Sequence, residues 1–147
     1  MNYVLALHSF LRWVVLVIAV VALVRNGLGW LQSRSFGSFD RSLMRSFSYL
    51  LLVQAALGII FLVAYFDVRQ FEHALPMLLV VGVPHMAAGR VRKAADDRAR
   101  HRLSFLFMLA ALLLIVVGVT ALAGGWSRNA WLNLSAGVWK SNVFRGR

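Results

Sequence analysis

The chain contains no cysteine. That removes disulfides, Cys-ligated zinc, iron–sulfur clusters and thiol catalysis from consideration. Acidic residues are nearly as scarce, five Asp and Glu against sixteen Lys and Arg. None of the five lies deep in an apolar run, which argues against a carboxylate-driven proton or cation transporter. No HExxH helix and no phosphate-cradling glycine loop after a strand is present; Glu72-His73 has no second ligand one turn on. Only two prolines occur, Pro76 and Pro84, both in the same apolar segment.

What the chain does have is apolar length. Of its 147 residues 61% are hydrophobic and 14% charged, with a mean hydropathy of +0.74. Such a composition belongs to an integral membrane protein rather than a soluble domain. The formal charge of +11 therefore reports topology and contact with anionic lipid, and not nucleic acid. The N-terminus lacks the basic start of a signal peptide, and His8 and Arg12 interrupt what would be its apolar stretch, so it reads as a retained first helix.

Four segments, at about 4–24, 47–66, 73–91 and 103–123, are long enough to cross a hydrocarbon core of roughly 30 Å. The expected fold is all-α, an integral membrane four-helix bundle over 1–123. Residues 25–46 read as a polar loop from their Gly, Ser and Asn content. The short DVRQFE stretch makes spans two and three an antiparallel hairpin, and AADDRAR reads as the polar middle of a helical extension. Arg25, Arg34, Arg41 and Arg45 in the first loop, and Arg90, Arg92, Lys93, Arg98, Arg100 and Arg102 in the third, place both loops in the cytoplasm. Both termini then lie outside. The tail 124–147, with Trp126, Trp131 and Trp139, is expected to form a short interfacial segment on the outer side, against the alternative of a disordered tail.

An ionisable group at membrane depth is a functional candidate by default. His8 and His73 fall near the outer ends of spans one and three, whereas His85 and His101 fall towards the inner side. Haem iron takes axial imidazoles, and a bundle interior holds a porphyrin between facing helices. His8 with His73 is thus the expected outer ligand pair, and His85 with His101 the inner one. The rise from His73 to His85, ~18 Å along a helix, suffices for two haems, but their imidazoles stand about 120° apart on an ideal helix. Pro84 should kink the span there. His101, within RARHR, reads equally well as solvated basic surface. Met77 is an alternative ligand, though a Met in an apolar helix more often packs.

Arg12, one turn beyond His8, is expected to anchor a haem propionate, with pairing to Glu72 or snorkelling as competing explanations. The His8 face continues through Val15, Ala19 and Ala22, small enough for close approach of a helix or a flat ring. Gln54, in QAALG, must find a partner across the bundle or on a ligand. Span four is apolar all round and is expected to face mostly lipid.

The pieces HSFLRW (8–13), QAALG (54–58), EHALPM (72–77) and PHMAAGRVRKAADDRARHR (84–102) resemble small four-span bacterial membrane proteins loosely labelled cytochrome b-like. The resemblance covers most of residues 1–120, in order. It implies a four-helix bundle in which His8 and His73 are the matching histidines, followed by a basic inner loop. His85 is matched in only some of these proteins, and the tail from 124 is longer than their usual end.

Together these features lead to the expectation of a haem b protein of the bacterial inner membrane, with one haem at His8 and His73, tuned or anchored by Arg12, and His85 as the ligand of an optional second haem. It would carry electrons between the quinone pool, or a partner subunit of a larger complex, and an acceptor. The alternative is a cofactor-free accessory subunit at the rim of a respiratory or photosynthetic complex. A carrier of quinone or another small molecule, centred on Gln54, is the third reading.

Overall fold

A computed structural model describes residues 2–64 and 68–120. They form four helices, α1 (Asn2–Leu31), α2 (Ser38–Ala64), α3 (Val68–Arg92) and α4 (Asp97–Thr120). The fold is an all-α four-helix bundle, and each helix is long and apolar enough to cross a membrane. Consecutive helices are neighbours, and α4 closes the ring against α1. This leaves α1 diagonally opposite α3. The seam between α2 and α3 is the most sparsely packed of the four. The tail 124–147, where the interfacial segment was expected, lies outside the described residues.

The helices run past the expected spans at the basic end. α1 continues to Leu31 and α2 begins at Ser38, so the first connection shrinks from 25–46 to 32–37. Its polar residues, which read as loop, turn out to terminate and join helices. Arg34 N–H bonds the Gly29 carbonyl at 3.0 Å, and Ser33 takes a φ of 48°, the left-handed position that closes a helix C-terminus. Asp40 then reaches back to the Gly37 N–H at 2.9 Å, the acidic half of a capping box at the start of α2. The third connection is a true break. α3 ends at Arg92, and Asp96 caps α4 by accepting the Ala99 N–H at 2.7 Å.

One spacing explains how the bundle closes. His8, Arg12, Val15, Ala19, Ala22, Asn26 and Gly29 alternate steps of four and three along α1, and from Val15 onward they are buried. His101, Ser104, Met108, Ala111, Ile115 and Gly118 do the same along α4. This alternation keeps one stripe facing inward, as in left-handed bundles. The apolar core joins Val15, Ala19 and Ala22 to Phe47, Leu51, Val80, Met108, Ala111 and Ile115. Outside it, large side chains such as Phe10, Val17, Ile59, Leu79 and Leu113 are exposed. A soluble protein would cover such a surface; lipid accepts it.

α4 buries a stripe from His101 to Val119, about 33% of its span and a larger share than in any other helix, and turns the remainder outward. An apolar-all-round sequence is silent about direction, and small residues (Ser104, Ala111 and Gly118) set it by letting neighbours approach. α3 also begins at Val68, before the expected 73, and runs as one helix through Pro76 and Pro84.

Candidate cofactor site

The inward stripes carry four polar side chains into one cavity near the end of the bundle where α1 begins. His8 and Arg12 come from α1, Gln54 from α2 and His73 from α3, and α4 contributes Ile115 and Val119. The cavity measures about 220 Å³, and its walls are otherwise apolar. Gln54 donates from Nε2 to the His8 carbonyl at 2.9 Å, fixing α2 against α1. His73 bonds through Nδ1 to the Gly118 carbonyl at 2.7 Å, fixing α3 against α4. A carbonyl can only accept, so Nδ1 carries the proton and Nε2 keeps its lone pair.

Two glycines border the site. A methyl on Gly58 would stand 3.4 Å from His8 Cε1, an ordinary van der Waals contact, so the ring packs beside the α2 backbone there. At Gly118 a methyl would overlap the end of Met77, which packs there beside the carbonyl that His73 uses. Met77 therefore has a packing partner, although it also borders the cavity. Arg12 is half-buried at the cavity wall, one turn deeper than His8. Glu72 is exposed and is not part of the lining. Two buried polar atoms in the site, His8 Nδ1 and Gln54 Oε1, have no protein hydrogen-bond partner. Buried polar atoms are almost always paired, and exceptions call for an explanation.

The second histidine pair is not assembled. His85 is exposed, bonds the Val81 carbonyl of its own helix through Nδ1 at 2.9 Å, and borders a separate cavity. Pro84 is buried on the inward stripe of α3, which turns its successor away. His101 is the most buried histidine, at 1% exposure, rather than solvated surface. Its Nδ1 lies 3.1 Å from Asn26 Oδ1, and its ring meets Phe36 edge-on with centroids 5.0 Å apart. Asn26 in turn donates to the Ala22 carbonyl at 2.7 Å. This cluster ties α4 to α1 and the first connection. Reading the residues singly missed it; the spacing of His101 from Ser104 and Met108 was the available signal.

Among the described residues, no group of three or more His, Asp or Glu side chains converges. A self-contained protein metal site is therefore not formed there, whereas a porphyrin brings four ligands of its own and asks the chain for two. The fold and the site define a multi-span membrane helical bundle with a small polar-headed cavity at one end. The chain matches no protein-family model, no curated protein and no solved structure.

Proposed function

We propose that this chain is a b-type, cytochrome-like electron-transfer protein in which His8 of α1 and His73 of α3 would hold the iron of one haem b. The observation that carries the reading is the His73–Gly118 hydrogen bond beside the unpartnered Nδ1 of His8. A metal-bound histidine usually donates its other ring N–H to a carbonyl or carboxylate, which orients the ring and raises its basicity. His73 already has that bond.

The donor set fits haem. The space does so only if the helices part. The cavity is below the roughly 300–1,000 Å³ of sites that enclose drug-sized ligands, and a haem is larger than most of these. The sparse α2–α3 seam is where the bundle has least packing to lose. Bound haem would supply reversible one-electron chemistry. The chain's own contributions are two imidazoles, the apolar wall that keeps water out, and the Arg12 guanidinium. That nearby positive charge favours the less positive, reduced state and can pair with a propionate.

A protein of this kind passes electrons to or from a redox partner, either a subunit of a larger membrane complex or the quinone pool. The Lys and Arg distribution supports a bacterial inner-membrane orientation with the first and third connections in the cytoplasm and both termini outside. His8 and His73 then stand at the outer end.

Spectra of the chain purified from haem-replete cells test the reading. Reduced-minus-oxidised Soret and α bands and a pyridine haemochrome are expected, and His8→Ala or His73→Ala removes them. A colourless, stably folded preparation overturns it in favour of a cofactor-free accessory subunit of a respiratory or photosynthetic complex.

One observation favours a second reading. The cavity's volume of about 220 Å³ suits the ring of a quinone better than a macrocycle, and Gln54 Oε1 is an open acceptor for a quinol hydroxyl. Retention of quinone through purification, lost in Gln54→Leu, would support that alternative.

A further inference from the structure

A second cavity, of about 650 Å³, opens between α2 and α3 at the opposite end of the bundle. Its lining includes Arg41 and Arg45 from α2, Arg92 from the end of α3 and Arg100 from the start of α4, and no acidic residue. Among the described residues, Arg100 alone of these four has a carboxylate partner, Asp97 at 2.9 Å; Asp40 is taken by Arg25. Arg41 makes a long 3.4 Å contact to the Phe36 carbonyl. Four arginines thus border one cavity of about 650 Å³. His85 lines the same cavity together with Ser48, a hydroxyl one turn from Arg45.

From this we infer that the cavity binds the phosphodiester headgroup of an anionic phospholipid. The charge is complementary, and guanidinium forks match phosphate oxygens in geometry. Position selects a lipid over a soluble anion. The arginines lie in the first turns of α2, the last turn of α3 and the first turn of α4, the level at which membrane-spanning helices meet headgroups. Towards the middle of the bundle, exposed apolar side chains on the cavity side of the same two helices, Leu52 of α2 and Leu78 of α3, offer a surface for acyl chains. The inference needs neither haem nor a particular orientation of the chain.

Native mass spectrometry of the full chain, released from nanodiscs of phosphatidylcholine containing phosphatidylglycerol, tests it directly. Phosphatidylglycerol is expected to stay bound in preference to phosphatidylcholine. Arg45→Gln and Arg92→Gln should each lower that retention about tenfold, the factor for losing one charge-assisted hydrogen bond to a phosphate oxygen. Arg34→Gln, exposed and outside the cavity, should leave it unchanged. Equal retention of the two lipids by the unsubstituted chain overturns the inference, and so does an equal loss in Arg34→Gln. Displacement of the lipid by inorganic phosphate overturns it in favour of a soluble-anion site. Because lipid preference is read on the unsubstituted chain, a variant that fails to fold does not protect the inference.

Discussion

His73 donates its Nδ1 proton to the carbonyl oxygen of Gly118 at 2.7 Å, joining the start of α3 to the end of α4. The bond settles the tautomer of a half-buried imidazole and leaves Nε2 as a lone-pair donor in a cavity shared with His8. At that level two histidines and two glycines come from four different helices. Gly118 lets Pro76 and Met77 of α3 approach the α4 backbone, and the histidines supply the chemistry.

If these imidazoles hold the iron of a haem, His8→Ala should abolish the reduced-minus-oxidised α band and leave a gap beside Gly58. Added free imidazole should then restore the band, because it refills a buried space of its own shape. Recovery measured by optical titration supports ligation. A His8→Ala protein with an unchanged spectrum would exclude His8 as a ligand.

Gln54→Leu separates the two cofactor readings. The substitution removes the bond to the His8 carbonyl, worth about 0.6 kcal/mol for an average interhelical hydrogen bond in a membrane, and also removes the open Oε1. Thermal unfolding in detergent should therefore shift little. Haem bands should persist if the site holds haem, and bound quinone should vanish if it holds quinone.

At the other end, a methyl on Gly29 would overlap the His101 ring. Gly29→Ala should destabilise the bundle by about 1–3 kcal/mol, the usual cost of overpacking. In a His101→Ala background the same methyl has space, so the two changes should be strongly non-additive. Gly82→Ala, where a methyl meets nothing within 4 Å, serves as the neutral control. Additive unfolding free energies would show that the close approach does not constrain the fold.

Asp40 uses both carboxylate oxygens, one on Arg25 Nε at 2.8 Å and the other on the Gly37 N–H at 2.9 Å. Asp40→Ala should cost about 1.5–3 kcal/mol, the range for hydrogen bonds to a charged group. Most of that loss should be the cap, because the Arg25 side chain is 38% exposed and its share is screened. A double-mutant cycle with Arg25→Ala should therefore return a coupling well below the total. A coupling equal to the full loss would reassign the stability to the ion pair.

The membrane class, the number of helices and the inward direction of His8 were legible without coordinates. Apolar length reports a span whatever surrounds it, and His8, Arg12, Val15, Ala19 and Ala22 keep the alternation of four and three that marks one face of a helix. The first connection was misread because its Asn and Gly residues have the composition of a loop. Asn26 is instead helical, fully buried, and bonded to both Ala22 and His101. Its spacing continues the inward stripe of α1, but the partner that matches its polarity, His101, lies 75 positions away and is brought to it only by packing.

The same limit governs the histidines. The sequence alone established that His73 and His85 differ in rotation by about 120° on a helix; only packing decided that the stripe passes through His73 and Pro84 and excludes His85. Likewise, only the tertiary structure turned His101 into a buried contact and α4 into the most buried helix. The physical reason is that lipid is as apolar as a protein core, so hydrophobicity places a residue in the membrane without saying which way it faces. Direction comes from close backbone approach at small residues and from hydrogen bonds between helices, and both exist only once the helices have met.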